Sequence, residues 1–457
     1  MKARMQQRKD LHAAAGPAPR RLRTTTLLPL LLVLPAALCT AGLRAQMLSA
    51  EEAVRIALEG NHGVRSARLE ARSAELLNSP GNAGMLPTLD AVGAYSIDNS
   101  ATKQTFFSGE TREAPNADQR VLDAAVQLNW TVFDGLAMFA AKGRAEAMEE
   151  LGRTHLRQRV EATAFDVLDT YYRLVQLRKA IAVQREGVRI SQERLRITGT
   201  GERHGSMSGL DLVQAQLDLA ADSAAVLDLQ EQEAVTASRL NTLLGRDPAT
   251  PFEVATEVPD ADTLDLVHVQ QAARQANSTL QQARQERIAT DHRTRELRGA
   301  LLPQVDVFAN YGYTSSRSAV GFLQSNRALG PDYGARVSIP LFRGLQARSA
   351  VEVAKLGREQ AAIAEAQAEL GLEESVLNAW VGYTTAMQRV ALEELNLRGA
   401  RLQVEVALEG YRIGSLAGIE LREVQLGLVN AERRSLVARY EAKLAELRLR
   451  WLAGELV

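Results

Sequence analysis

The chain has 457 residues, room for two or three ordinary domains at about 150 residues each. Its 54 Lys and Arg against 55 Asp and Glu leave a net charge of -1, which gives no basis for a strongly basic nucleic-acid-binding surface. A single cysteine excludes an intramolecular disulfide framework and a cysteine zinc cluster, and a mean hydropathy of -0.16 excludes a conventional polytopic helical membrane protein.

Residues 1–45 read as a secretory signal. Lys2, Arg4, Arg8, Lys9, Arg20, Arg21 and Arg23 precede an apolar run from Leu27 to Gly42, and Ala41, Gly42 and Ala45 supply a small-residue cleavage zone. Pro29 and Pro35 interrupt the run, and its length is short for a spanning helix. Cys39 follows Leu38 rather than a small residue, which argues against lipidation there. Cleavage near Ala45 leaves 46 basic and 54 acidic residues, or -8.

The remainder is one plan written twice. Asn61 and Leu86-Pro87 return as Asn277 and Leu302-Pro303, at an offset of 216. Phe133-Asp134-Gly135-Leu136 returns as Phe342-Arg343-Gly344-Leu345, and Gly205-Ser206 as Gly414-Ser415, at an offset of 209. The first repeat is 46–247, with a strand hairpin at 86–133 and a long helix hairpin at 136–246. A linker at 248–263, carrying Pro248, Pro251 and Pro259, leads to the second repeat, 264–457, with a strand hairpin at 302–342 and a helix hairpin at 345–454. Residues 116–247 and 341–457 lack proline, which permits very long helices.

Each repeat opens with a helix, the first over 50–78 with Glu51 and Glu52 at its positive end. The period then becomes two. Leu89, Ala91, Gly93, Tyr95 and Ile97 share one face, as do Leu122, Ala124, Val126, Leu128, Trp130 and Val132. Val305, Val307, Ala309, Tyr311 and Tyr313 form a third such set, and Tyr333, Ala335, Val337, Ile339 and Leu341 a fourth. Loops are expected at 98–118 and 314–331. Four strands of about 10 residues suit a tilted bilayer crossing, while a half-buried soluble sheet is the plain alternative. Aromatics Tyr95, Trp130, Phe133, Tyr311, Tyr313, Tyr333 and Phe342 stand at the expected strand ends and fit interfacial girdles, although tyrosine and tryptophan are also ordinary strand residues.

Beyond Phe133 the period is helical. Val160, Ala164, Val167, Tyr171, Leu174, Leu177 and Ile181 step by three and four, and the helix is expected from Leu136 to Ile197. Gly199-Thr200-Gly201 suggests a bend before the hairpin tip. Val213, Leu217, Ala220, Ala224 and Leu227 form a coiled-coil seam on the return helix. Gly382 suggests close packing or a slight bend.

Four membrane-length strands cannot close a barrel, and open edges in lipid leave unpaired backbone groups costing several kcal/mol each. The chain is therefore expected to be mainly α with a transmembrane β-barrel part that closes only between copies, three being preferred to two because eight strands leave little lumen. Three copies supply a 12-stranded barrel, four strands per chain, and a 12-helix α-barrel.

This order resembles the outer membrane efflux protein family, of TolC type, from Leu48 to about Gly454. The resemblance rests on the duplicated hairpin order and on two turns. They are Arg203-His204-Gly205-Ser206 through Leu210-Asp211-Leu212, and Tyr411-Arg412-Ile413-Gly414-Ser415 through Ile419-Glu420-Leu421. It implies a homotrimeric channel-tunnel in the outer membrane of a double-membrane bacterium, among its lipids, with the helices extending into the periplasm as an α-barrel. It also implies a periplasmic adaptor (a membrane fusion protein) and an inner-membrane transporter of RND, ABC or MFS type, serving tripartite efflux or type I secretion. Gly205, Ser206, Gly414 and Ser415 match the adaptor-docking tip. Glu420, Glu423, Asp211 and Tyr411 match the periplasmic entrance and its gate. Leu416 stands where the family's tip arginine is expected, leaving Arg412, Arg422 or Arg203 as substitutes.

Glu420 and Glu423 are three apart and share a helix face, so three-fold symmetry makes carboxylate rings that favour cations. The plainer reading is ordinary acidic helix starts. Enzyme signals are weak. The six histidines, at 12, 62, 155, 204, 268 and 292, form no i, i+4 pair around a glutamate, and no cofactor motif is present. A non-conducting periplasmic scaffold is the alternative function. An exported hydrolase would need a nucleophile and base that the sequence does not offer.

Overall fold

The computed structural model describes residues 47–320 and 323–456. The expected signal segment 1–45 and Cys39 lie outside the described residues. In chain order the elements are β1 (Met47–Leu48), α1 (Ala50–Gly60), α2 (His62–Leu77), β2 (Thr88–Thr105), β3 (Thr111–Phe133), α3 (Ala137–Arg203) and α4 (Gly209–Leu243). They continue as β4 (Glu253–Val254), α5 (Leu266–Ala276), α6 (Ser278–Gly299), β5 (Gln304–Ser318), β6 (Ser325–Ser338), α7 (Gln346–Arg412) and α8 (Gly418–Ala453).

The single opening helix expected over 50–78 is two helices. Asn61 ends α1 and caps α2, its side-chain oxygen accepting from the Gly63 and Val64 amides at 2.8 and 3.2 Å. Its amide nitrogen donates to the Leu243 carbonyl at 2.9 Å. Asn277 does the same in the second repeat, capping Thr279 and Leu280 at 3.1 and 3.2 Å and donating to Leu452 at 3.1 Å. One residue type thus breaks the helix, caps the next and ties it to the end of the return helix. An aspartate could do only the capping.

The two cores repeat residue by residue. Ala53, Ala57, Val167, Leu240 and Leu244 are buried in the first; Val269, Ala273, Val376, Leu449 and Ala453 are buried in the second. The linker is partly structured. Its strand β4 pairs in parallel with β1, and the Tyr171 hydroxyl donates to Leu48 O at 2.8 Å while accepting from Ala255 N at 3.1 Å.

Strands β2, β3, β5 and β6 form one antiparallel sheet in that order, leaving β2 and β6 as its edges. At 18, 23, 15 and 14 residues they exceed the expected 10, and the expected loops at 98–118 and 314–331 are largely strand. Backbone pairing continues past the apolar alternation because a ladder needs partners, not hydrophobicity. The register aligns the apolar positions across all four strands: Leu89, Leu128, Ala309 and Tyr333 in one row, Ala91, Val126, Tyr311 and Pro331 in the next. Tyr311 and Tyr333 therefore sit mid-strand rather than in a girdle. The other face carries a polar row, Asp90, Gln127, Asn310 and Asp332.

Helices α3 and α7 have 67 residues each, about 100 Å at 1.5 Å per residue. Both start from a Gly-Leu pair in the left-handed region: Gly135 and Leu136 at φ 72° and 67°, Gly344 and Leu345 at 58° and 64°. That pair turns each strand into its helix, which explains the repeated Phe-x-Gly-Leu. At Gly199-Thr200-Gly201, where a bend is expected, α3 stays helical and runs on to Arg203. A Cβ at Gly201 would instead meet Met207 at 2.8 Å, so this glycine admits a neighbouring side chain. Helix α7 likewise runs unbroken through Gly382, where a Cβ would meet no described residue within 4 Å.

The α3 seam is buried as expected, at Ala164, Val167, Tyr171, Leu174, Leu177 and Ile181. The α4 seam is not: Val213, Leu217 and Leu227 are exposed, while Ala215, Asp222, Thr236 and Leu240 face the chain. No helix among the described residues is long and apolar enough to cross a membrane.

A Cβ at Gly135 would lie 2.5 Å from Gly299 O, whereas one at Gly344 meets nothing within 4 Å. Both substitutions force alanine into the left-handed region at a cost of about 1–2 kcal/mol. Gly135→Ala is therefore expected to lower the thermal unfolding midpoint well beyond Gly344→Ala, as read by circular dichroism.

Candidate entrance at the helical tip

The turns joining α3 to α4 and α7 to α8 are built alike. Gly205 and Gly414 take φ of 74° and 78° with open space around them. Ser206 N donates to Gly201 O at 2.8 Å, and Ser415 N to Gly410 O at 2.9 Å. Each serine hydroxyl donates to that same carbonyl, at 3.1 and 3.0 Å. All four expected tip residues are therefore exposed at two closed, rigid turns.

The expected entrance acids divide by role. Asp211 closes a capping box with Ser208, accepting from the Ser208 amide at 3.1 Å and its hydroxyl at 2.8 Å. The hydroxyl and then the amide hold its carboxyl below the ordinary range. Glu420 accepts from the Ala417 amide at 3.2 Å, the equivalent place in the second repeat. The Glu423 side chain is exposed and has no hydrogen bond or ion pair to any described residue. Of the three acids, it alone is not occupied in holding its own helix start.

Tyr411, expected beside these acids, is instead buried at 5% exposure. Thr198 donates its hydroxyl proton to Arg194 O at 2.8 Å, so its oxygen accepts from the Tyr411 hydroxyl at 2.9 Å. Around this bond pack Ala407 and Leu421, with Ile197, Met207, Leu408, Leu416 and Val424. The tyrosine joins the two hairpins from within. Leu416 belongs to the same apolar cluster, so a guanidinium there would displace packing.

The three arginines proposed as substitutes separate cleanly. Among the described residues the Arg203 side chain bonds only to its own helix, at Gly199 O and Thr200, and Arg412 pairs with Glu409 one turn away. Arg422 reaches from α8 to α4, where its two terminal guanidinium nitrogens, Nη1 and Nη2, donate to Asp222 at 2.6 and 2.9 Å. Hydrogen bonding to Asp222 raises its pKa further.

This grip is part of a buried polar cluster that sequence reasoning missed. Ser191 on α3 donates to Asp222, and Arg194 pairs with Asp218. Gln425 on α8 donates to Ser191 Oγ at 2.7 Å and Gly187 O at 2.9 Å. Ser191, Arg194, Asp222 and Gln425 are all at most 6% exposed. The sequence signal was present: Ala215 and Asp222 are seven apart, on the less hydrophobic face of α4. Choosing the greasier face hid it.

A model of the outer membrane efflux protein family matches residues 53–246 and 269–455. The chain belongs to that family. Its two matched segments coincide with the two structural repeats, and its class is that of outer membrane channels of efflux and secretion. Among its relatives, protein CyaE of Bordetella pertussis is 26% identical over 413 residues, spanning 89% of this chain and 84% of CyaE. The outer membrane efflux protein BepC of Brucella suis is 23% identical over 360 residues, 76% and 74% of the two chains. The CmeC outer membrane channel of Campylobacter jejuni shares the fold, with a TM-score of 0.78 at 15% identity over 89% and 85% of the chains.

Removing one partner of a buried, hydrogen-bonded ion pair typically costs about 3–5 kcal/mol. Asp222→Ala is expected to destabilise the tip by that order and speed amide hydrogen exchange in residues 187–198 and 418–428. Asp222→Ala with Arg422→Met is expected to recover part of the protection.

Proposed function

We propose that three copies of this chain close into a passive conduit across the outer membrane, linked through a periplasmic adaptor to an energised inner-membrane transporter. The observation that carries this is the four-stranded sheet with two long open edges and one continuous apolar face. In lipid, edges β2 and β6 need partners, and a second and third copy supply them. Twelve strands leave a water-filled lumen lined by the polar face. The exposed apolar positions of α4 (Val213, Leu217, Leu227) and α7 (Ile363, Leu370, Leu377) give the helices matching contacts between copies.

At the far end of the helices, the two closed turns at Gly205-Ser206 and Gly414-Ser415 offer the adaptor a rigid, exposed tip. Glu423 and Glu420, one turn further in, form the charged entrance. Free energy for transport comes from the inner-membrane partner; this chain supplies the duct and its selectivity.

Single-channel recording in a planar bilayer tests the reading. Wild type is expected to give discrete, cation-favouring steps. Glu420→Ala with Glu423→Ala is expected to weaken cation preference or enlarge conductance. If Asp90→Asn with Asp332→Asn does so instead, selectivity lies in the barrel. No steps from a folded trimer would favour a non-conducting scaffold.

A further inference from the structure

The outward face of the sheet changes character at one end. Five apolar rows, from Val305 and Val337 up to Tyr313 and Leu329, and a mixed sixth holding Tyr95 and Leu122, span about 34 Å along a strand and about 26 Å along a barrel axis at the usual tilt. That is the height of a hydrophobic band. The uppermost of these rows is Tyr95, Leu122, Ser315 and Arg327; the next is Ile97, Arg120, Arg317 and Ser325. Three arginines thus emerge on the lipid-facing side where the apolar band stops.

Their arrangement is costly without an anion. Arg120 and Arg317 are directly opposite across neighbouring strands, and Arg327 is the diagonal neighbour of Arg317. Like charges directly opposite destabilise a sheet pair, and diagonal positions are within reach of long side chains. All three are exposed. Arg120 has one long contact, to Asp118 Oδ2 at 3.4 Å. Arg317 and Arg327 have no ion pair or side-chain hydrogen bond to any described residue.

Topology says which leaflet they meet. The helices leave the sheet at the Thr88, Phe133, Gln304 and Ser338 end, and the arginines lie at the opposite end, beside the hairpin turns. With the helices in the periplasm, that end faces the cell exterior. We propose that Arg120, Arg317 and Arg327 form a binding site for the phosphate groups of a phosphorylated glycolipid in the outer leaflet. Guanidinium forks match phosphate bidentately, and Tyr95, Leu122 and Leu329 beneath them take the acyl chains. The proposal rests on the barrel reading of the sheet.

The test uses delipidated trimer in neutral detergent, with binding of a bisphosphorylated diglucosamine lipid followed by native mass spectrometry. Wild type is expected to retain this lipid, and Arg120→Gln with Arg317→Gln and Arg327→Gln to bind it roughly tenfold or more weakly. Arg317→Gln alone, expected to weaken binding several-fold, serves if the triple variant does not assemble. Equal binding by wild type and variant overturns the proposal. So does equal binding of the dephosphorylated lipid, or displacement of the lipid by millimolar inorganic phosphate. Conductance of the same samples keeps the two readings apart: variants that conduct without binding lipid support the site, whereas a wild type that neither conducts nor inserts removes the barrel beneath it.

Discussion

A backbone amide or carbonyl in an apolar setting must find a partner, and most of this molecule follows from that requirement. The long helices meet it internally. The four-stranded sheet meets it everywhere except along β2 and β6, where whole rows of donors and acceptors are left open. A soluble protein would shorten or charge such edges. Here they border a continuous apolar face, and in the proposed trimer further copies of the chain satisfy them.

The same requirement shapes the smaller joints. Asn61 and Asn277 each satisfy two amides at a helix start and one carbonyl at the end of another helix. Ser206 and Ser415 return to the carbonyl already bonded by their own amides, giving two near-identical rigid turns. Inside the tip, Tyr411 and Arg422 join the hairpins in two different ways, one within an apolar cluster and one through a buried ion pair. The leucine at 416 and the arginine at 422 are two sides of one arrangement: the cross-hairpin charge sits deeper, on the helix, rather than in the turn.

Much of this was legible from residues alone. The repeated Phe-x-Gly-Leu marks the strand-to-helix turns, the repeated Gly-Ser marks the tips, and the alternation at 89–97 and 122–132 gives the faces of the sheet. Other features were not. Strand length exceeded the hydrophobic signal because pairing does not depend on it. Gly199 and Gly201 looked like a bend because sequence does not reveal that Met207 packs against Gly201. Tyr411 matched an entrance position by resemblance, yet its hydroxyl bonds to Thr198 in the space between hairpins.

Periodicity and repetition by themselves determined the element classes and the duplication of this chain, because helical and strand periods and turn glycines are local properties written in consecutive residues; the family followed from the resemblance of that order and its two turns to known proteins. Only the tertiary structure decided which face of α4 is buried, which of three arginines crosses between hairpins, and that Arg120, Arg317 and Arg327 stand together. Those facts depend on how elements distant in sequence are set against one another. A shift of one residue in strand register, or a rotation of one helix by a third of a turn, would leave every local pattern intact and change all three.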